Sequence, residues 1–590
     1  MQETFDTLYK QSESGSTFKH LYEIIISEEN IKLAYRNIKA NKGSKTKGIN
    51  DSTILNIKEQ DMDKIINYVK GRLGNYKPEK VRRVYIPKPN GKLRPLGIPT
   101  IEDRLIQQCI LQVLEPICEA KFHNHSYGFR PNRNTEHAIS RMLFLNNLKD
   151  FHYIVDIDIK GFFDNVDHGK LLKQMWSLGI QDKRVISIIS KLLKAEIEGE
   201  GIPVKGVPQG GIISPLLSNI VLNELDWWIS NQWETLNIKK DKPNLCISQQ
   251  NRRKHKTNLK QIYLVRYADD FKIVCKNYNV AKKIKIATTE WLKERLKLDV
   301  SEEKTKITNL KRNYSEFLGF KFTLRNKGTK QIIRSHLSDK AIETLEKKVK
   351  ARIKDLKEHT KMSSVQKYNA MVLGMHRYYS IATDVSADFK GIGYSINRAL
   401  YNQLNTVYSN SGKQSKAFLK YYKNYTNQIR YICDTALFPI TGIKFRKPMC
   451  FNQNISNYTI EGRKLIHDKL QIVTESDIRR LLETTNENRS IEFNDNRISL
   501  YVAQDGKCGV SKNKLNINEM EVHHKKMGSD GGTDAYKNLI ILHKHVHKLV
   551  HATEEMTITK YLRKLSLNKT EINKLNKLRK DVGNFNIIAL

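Results

Sequence analysis

Residues 262–275 read Ile262-Tyr-Leu-Val-Arg-Tyr267-Ala268-Asp269-Asp270-Phe271-Lys-Ile-Val-Cys275. Two apolar runs, Ile262 to Val265 and Phe271 to Cys275, flank a short polar bend. That pattern predicts a β-hairpin with two adjacent carboxylates at its turn. Acids held so close repel each other. Either water solvates them, the ordinary outcome for an Asp-Asp turn, or a cation sits there, and hard oxygen ligands of this kind suit Mg²⁺. The rest of the chain decides between the two.

Upstream, residues 151–168 read FHYIVDIDIKGFFDNVDH. Ile154 to Ile159 alternate as a strand does, with Val155, Ile157 and Ile159 on one face and Asp156 and Asp158 on the other. An acid within an apolar strand is costly unless paired or metal-bound, which singles out Asp158. Asp156 reads as a strand-face acid. Asp164 and Asp167 follow Gly161 and read as helix-start acids.

Gly206-Val-Pro-Gln209-Gly-Gly-Ile-Ile-Ser-Pro215 then opens a helix running to about Trp228, and glycines ahead of a helix let a ligand approach the backbone. Residues 238–260 are polar and basic and read as an inserted surface loop. Residues 79–100 predict a second hairpin carrying Arg82, Arg83, Lys88, Lys92 and Arg94. It is either a solvated edge or a lid whose Arg forks and Lys points grip phosphates. Helical patterns cover 18–40, 59–74, 101–122, 134–147, 280–297 and the strongly basic stretch 337–360.

The chain has 590 residues, too long for one core, so three or more domains are expected. Its formal net charge is +40, an excess that calls for a polyanion partner, with nucleic acid the default. No apolar run approaches the roughly 20 residues needed to span a bilayer. The start, MQETFDTLYKQ, has neither signal-peptide nor transit-peptide character. Seven cysteines (109, 118, 245, 275, 433, 450 and 508) include no CxxC pair, which argues against a disulfide framework and suits a reducing compartment.

The order of blocks resembles the palm of reverse transcriptases: the Asp158 strand, Pro208-Gln209-Gly210, Tyr267-Ala-Asp-Asp270, the Lys304 segment and Phe317-Leu-Gly-Phe320. Arg94-Pro-Leu-Gly-Ile-Pro99, Tyr127-Gly-Phe-Arg-Pro131 and Asn41-Lys-Gly-Ser44 with Gly48 resemble the group II intron-encoded subclass. The resemblance implies two Mg²⁺ held by Asp158 and Asp269, with Asp270 supporting. It implies that Phe163 excludes a ribose 2′-OH, that Gln209 contacts the incoming dNTP, and that Lys88 and Arg94 grip its phosphates. Lys304 is the implied general acid for pyrophosphate. Gly374-Met-His-Arg-Tyr-Tyr379 resembles the maturase, or X, domain, whose helical Tyr and Arg can stack on and neutralise RNA.

The C-terminal block resembles an HNH nuclease: Glu521-Val-His523-His524, Gly531-Gly532, Asn538-Leu539 and His547-x₃-His551. A ββα unit would place His547 and His551 one turn apart on a helix face. His523, His547 and His551 are then ligands for one divalent metal, Mg²⁺ or similar. His524 is the general base, and Asn538 orients it by a hydrogen bond. Many relatives carry two CxxC pairs here. This chain has Cys508 with Ser511, and His543 with Val546, too few ligands for a structural zinc.

The expected fold class is α+β and multidomain. An N-terminal extension (1–75) is followed by fingers and palm (76–330), a helical thumb/maturase domain (331–454), a DNA-binding linker (455–497), an HNH unit (498–565) and a tail (566–590). Expected partners are group II intron RNA, target DNA and dNTPs, with no membrane; a homodimer is compatible with this. The implied setting is cytoplasmic, nucleoid-associated and bacterial in type. A binding protein with one dead active site, or a host-adapted defence enzyme, are the alternative readings.

Overall fold

The computed structural model describes residues 1–58, 61–87, 91, 93–147, 151–236, 261–328, 330–467, 477, 480, 481, 484 and 491–588. The chain divides into two compact units, Met1–Gln453 and Asn454–Leu590, each taken by itself below. The basic stretch 238–260, read above as a loop, lies outside the described residues, as do Lys88 and Lys92.

In the first unit the two apolar runs pair as β4 (Ile262–Tyr267) and β5 (Asp270–Cys275), following β1 (Arg82–Pro87), β2 (Leu93–Ile98) and β3 (Tyr153–Ile157) in the chain. With β6 (Lys306–Asn309) they form an antiparallel sheet ordered β4-β5-β3-β6. Tyr267 faces Asp270 in register, so Ala268 and Asp269 are the whole turn. Ala268 takes a positive φ of 57°, as the first loop residue of a tight hairpin can.

β3 is buried on both faces, because helices cover the sheet. This corrects the reading of Asp156 as an ordinary strand-face acid. It is 5% exposed, pairs with Lys272 directly across the ladder at 2.9 Å, and accepts hydrogen bonds from Thr308 and Ser315. A buried acid so fully satisfied is structural.

The helix Ile101–Glu119 is buried along most of its length, and Gln2–Glu13, Glu28–Ala40 and Met62–Gly74 pack on it. Its Arg104 donates to the carbonyls of Pro99, Gly43 and Thr46, tying the Asn41–Gly48 loop to the helix start.

β7 (Ser315–Phe317), β8 (Phe320–Lys327) and β9 (Lys330–Leu337) make a second antiparallel sheet. Leu318 and Gly319 both have positive φ, 52° and 83°, the signature of a type I′ turn. The helix Met362–Tyr379 closes on it. Tyr378 donates to the Leu318 carbonyl at 2.9 Å, and its ring stacks on Phe320. A minor pair, β10 (Tyr431–Ile432) and β11 (Thr435–Ala436), follows.

The second unit builds one core around β12 (Met520–His524) and β13 (Leu539–His543), with Cys508, Val510, Val546, Leu549 and Leu575 buried together. Residues 566–590, set apart as a tail from the sequence, contribute the helix Lys569–Asp581 to that core. Arg579 from this helix caps the carbonyls of Leu549 and Ala552.

Candidate active sites

Asp158 follows the last residue of β3, and Ile157 pairs with Phe271, so the chain brings Asp158 beside the 269–270 turn. Its backbone is pinned as well: the Ser301 N–H donates to the Asp158 carbonyl at 2.7 Å. Crowding by protein, and then the Asp158 charge, push the Asp269 carboxyl above the usual range. Arg94 and Arg266 pull it back. Burial also raises Asp270, against the pull of Lys272 at 3.4 Å. Lys304 Nζ lies 3.0 Å from Asp158 Oδ2. Asp158 and Asp269 stand close enough for their charges to oppose each other, while Asp270 is drawn toward Lys272, which it shares with Asp156. Two turn acids reluctant to ionise beside Asp158 fit a hard divalent cation that would relieve the repulsion.

β2 leads from Arg94 to the glycine loop. The Gly97 N–H donates to the Gln209 carbonyl at 2.8 Å. A Cβ on Gly210 would sit 2.6 Å from the Gly97 carbonyl oxygen, so this approach requires glycine. Phe163 and Gln209 line one cavity of about 290 Å³ with Arg83, Tyr85, Glu200 and Lys205. The Val207 N–H donates to the Phe163 carbonyl at 2.7 Å, which fixes the aromatic residue against the glycine loop.

The sequence reading missed the brace behind the turn. Arg266 is 1% exposed. It forks onto Asp226 at 2.7 and 2.6 Å and also donates to Asn219 and to the Ala268 carbonyl. Tyr127 donates from its backbone to the Arg266 carbonyl, and Asn219 donates to the Gly128 carbonyl. A Cβ on Gly128 would come within 2.2 Å of the Ala268 nitrogen. The available signals were an arginine inside an apolar strand and an acid inside an apolar helix, each of which demands a partner.

In the second unit, ligand atoms of His523, His547 and His551 lie within 4.8 Å of one another. His523 is buried, and its Nε2 has no hydrogen-bond partner. Burial, reinforced by His547 and His551, pulls its pKa down to about 3 and keeps the ring a neutral donor. Such an orphaned nitrogen, facing two further imidazoles, fits a divalent metal. Glu521 accepts from His547, an outer partner of the type that orients a ligand.

His524 lines the same cavity of about 500 Å³ as the triad. Its Nε2 meets Asp534 at 2.7 Å, and its ring stacks on Phe493. This corrects the expectation for Asn538. The Asn538 amide instead donates to the carbonyls of Lys526 and Thr533 and accepts from the Lys526 N–H. It cinches the loop, because at the strand entrance it faces backbone and not the imidazole. Cys508 is fully buried and accepts from the His543 N–H at 3.3 Å, with Val546 inside the same apolar cluster.

Residues 86–322 match the family model for reverse transcriptase (RNA-dependent DNA polymerase). The chain is 32% identical over 471 residues to the group II intron-encoded protein LtrA of Lactococcus lactis subsp. cremoris, covering 68% of this chain and 76% of that one. It belongs to the group II intron-encoded proteins. This intron-encoded protein is also 38% identical over 260 residues to protein YkfC of Escherichia coli, covering 42% of this chain and 67% of that one. It is 28% identical over 444 residues to a putative COX1/OXI3 intron 1 protein of Saccharomyces cerevisiae, covering 70% of this chain and 51% of that one. The intron-encoded protein thus carries a reverse transcriptase fold of mixed helix and sheet. Among its described residues no helix is long and apolar enough to cross a membrane.

Proposed function

We propose that this protein copies intron RNA into DNA, assists intron splicing as a maturase and nicks target DNA, the three acting together in target-primed insertion of a group II intron. The observation that carries the reading is the meeting of Asp158 with the Asp269-Asp270 turn, acids that are remote in sequence.

Asp158 and Asp269 would hold two Mg²⁺, with Asp270 in support. Bound there, the ions supply a lowered pKa at the primer 3′-OH and charge neutralisation on the triphosphate. Lys304, released from Asp158, presents its ammonium proton to the departing pyrophosphate. Arg94 neutralises phosphate charge, Gln209 positions the nucleotide, and Phe163 closes the space that a 2′-OH would need.

In the second unit His523, His547 and His551 would hold one divalent ion, which supplies charge stabilisation at the scissile phosphate. His524, steadied by Asp534, accepts the proton of the attacking water at its other ring nitrogen. The nick leaves a 3′-OH for the palm to extend. The apolar packing of Cys508 and Val546 supports a nuclease fold that needs no structural zinc.

Primer extension on poly(rA)/oligo(dT) with Mg²⁺ tests the first chemistry: Asp269→Asn should abolish dNTP incorporation. A supercoiled target plasmid tests the second: His524→Ala should abolish nicking and leave primer extension intact. A wild-type protein that extends no primer would refute the polymerase reading.

A further inference from the structure

The helix Ser214–Asn231 begins at the glycine loop of the cleft. Trp228 lies fourteen residues after Ser214, so it is about 21 Å along the same helix from the glycine loop. There the helix borders a cavity of about 960 Å³, whose walls include Trp227, Trp228, Trp291, Lys170, Lys173 and Arg295. Trp228 and Trp291 stack at 5.3 Å, and Trp227 is 37% exposed. Its indole N–H is satisfied by the Lys121 carbonyl, which fixes the ring in place.

The cations are organised. Glu224 receives Lys170 at 2.9 Å and Arg295 at 2.6 Å, and the cavity keeps a net positive rim. The wall that bears Trp291 and Arg295 is the end of a helix that widens into a π turn, Leu292–Leu296.

A preset aromatic surface under a cationic rim selects a particular chemistry. Cationic or neutral peptides gain nothing from Lys170, Lys173 and Arg295. Simple anions gain nothing from the indoles. A planar base with its phosphate gains from both.

We infer that this cavity is an RNA-binding site for one or two unpaired nucleotides, where bases stack on the indoles and phosphates meet Lys173 and Arg295. This rests on the reading that the protein binds RNA, and it adds a site separate from the polymerase cleft and the thumb helices. Four of the five tryptophans of the chain, 176, 227, 228 and 291, fall on the elements that form the cavity, so the site carries its own reporter.

The full-length protein should be titrated with a single-stranded RNA 20-mer of mixed sequence at fixed salt, with intrinsic fluorescence and filter binding read together. Wild type should show fluorescence quenching that saturates with binding. Trp227→Leu and, independently, the exposed-site variant Lys173→Glu should each weaken binding about tenfold while primer extension at saturating template stays unchanged. Wild-type binding with both variants unaffected overturns the proposal alone. No RNA binding by wild type overturns the RNA reading and the proposal with it. Variants that change self-association in sedimentation, with RNA affinity intact, make the cavity a contact between copies and also overturn it.

Discussion

Arg266 shows how much of the polymerase site depends on groups that never touch substrate. Its guanidinium is shared among Asp226, Asn219 and the Ala268 carbonyl, so the turn bearing Asp269 is held from behind. Arg266→Met would strand a buried Asp226 and should cost about 3–5 kcal/mol in denaturant unfolding, with Asp226→Leu in the same chain restoring part of it. Gly128→Ala should fail more locally, since its methyl would overlap the Ala268 nitrogen, and primer extension should drop before global stability does. In the second unit Asp534→Asn keeps the shape but loses the charge beside His524. Nicking should fall, with primer extension unchanged as the control. The sequence indicates that acids inside apolar runs need partners. It does not name them: Asp156 finds Lys272, Thr308 and Ser315 more than a hundred residues away. Asp158 was legible because the order of blocks around it is distinctive. Asp534 was not, because it sits in a loop with no periodic pattern.

Among the elements, hairpins were the most legible, since both strands and the turn lie within a dozen or so residues and the turn chemistry is local. The 262–275 stretch is the clearest case. Phe317-Leu-Gly-Phe320 stood out in the sequence only as a motif, and both its hairpin and its use were hidden. The turn offers its Leu318 carbonyl to Tyr378, so an aromatic pair read as candidate RNA-stacking residues serves partly as packing. Gly319→Ala should destabilise the first unit by about 1 kcal/mol, because φ there is 83°. Tyr378→Phe should cost about 1 kcal/mol through the lost hydrogen bond. Thermal melts can rank both against wild type. Arg377 and Tyr421, in contact with each other and exposed, remain available to solvent.

Across the whole molecule, charge and protonation set the working range. His376 donates from Nε2 to the Ile440 carbonyl and meets the Tyr422 hydroxyl at Nδ1, inside a buried pocket. Burial pulls its pKa down to about 4 from an ordinary 6.5, and His123 is pulled down to about 4 by burial as well. Between those values the unfolded chain binds protons that the fold refuses. Stability is therefore full above about pH 6.5 and falls as pH drops toward 4, by up to about 1.4 kcal/mol per unit for each ring. Melting temperature against pH should show this slope, and His376→Gln should flatten part of it. The +40 charge predicts that RNA affinity falls steeply with salt, through counterion release. The Lys304–Asp158 pair adds an opposing consequence. On the proposed reading of Asp158 as a Mg²⁺ ligand, this lysine would occupy an oxygen that the ion would take, and the chain would compete with metal loading. Added monovalent salt weakens that exposed pair. Polymerase rate at limiting Mg²⁺ should thus rise and then fall with salt, and Lys304→Ala should erase the rising limb.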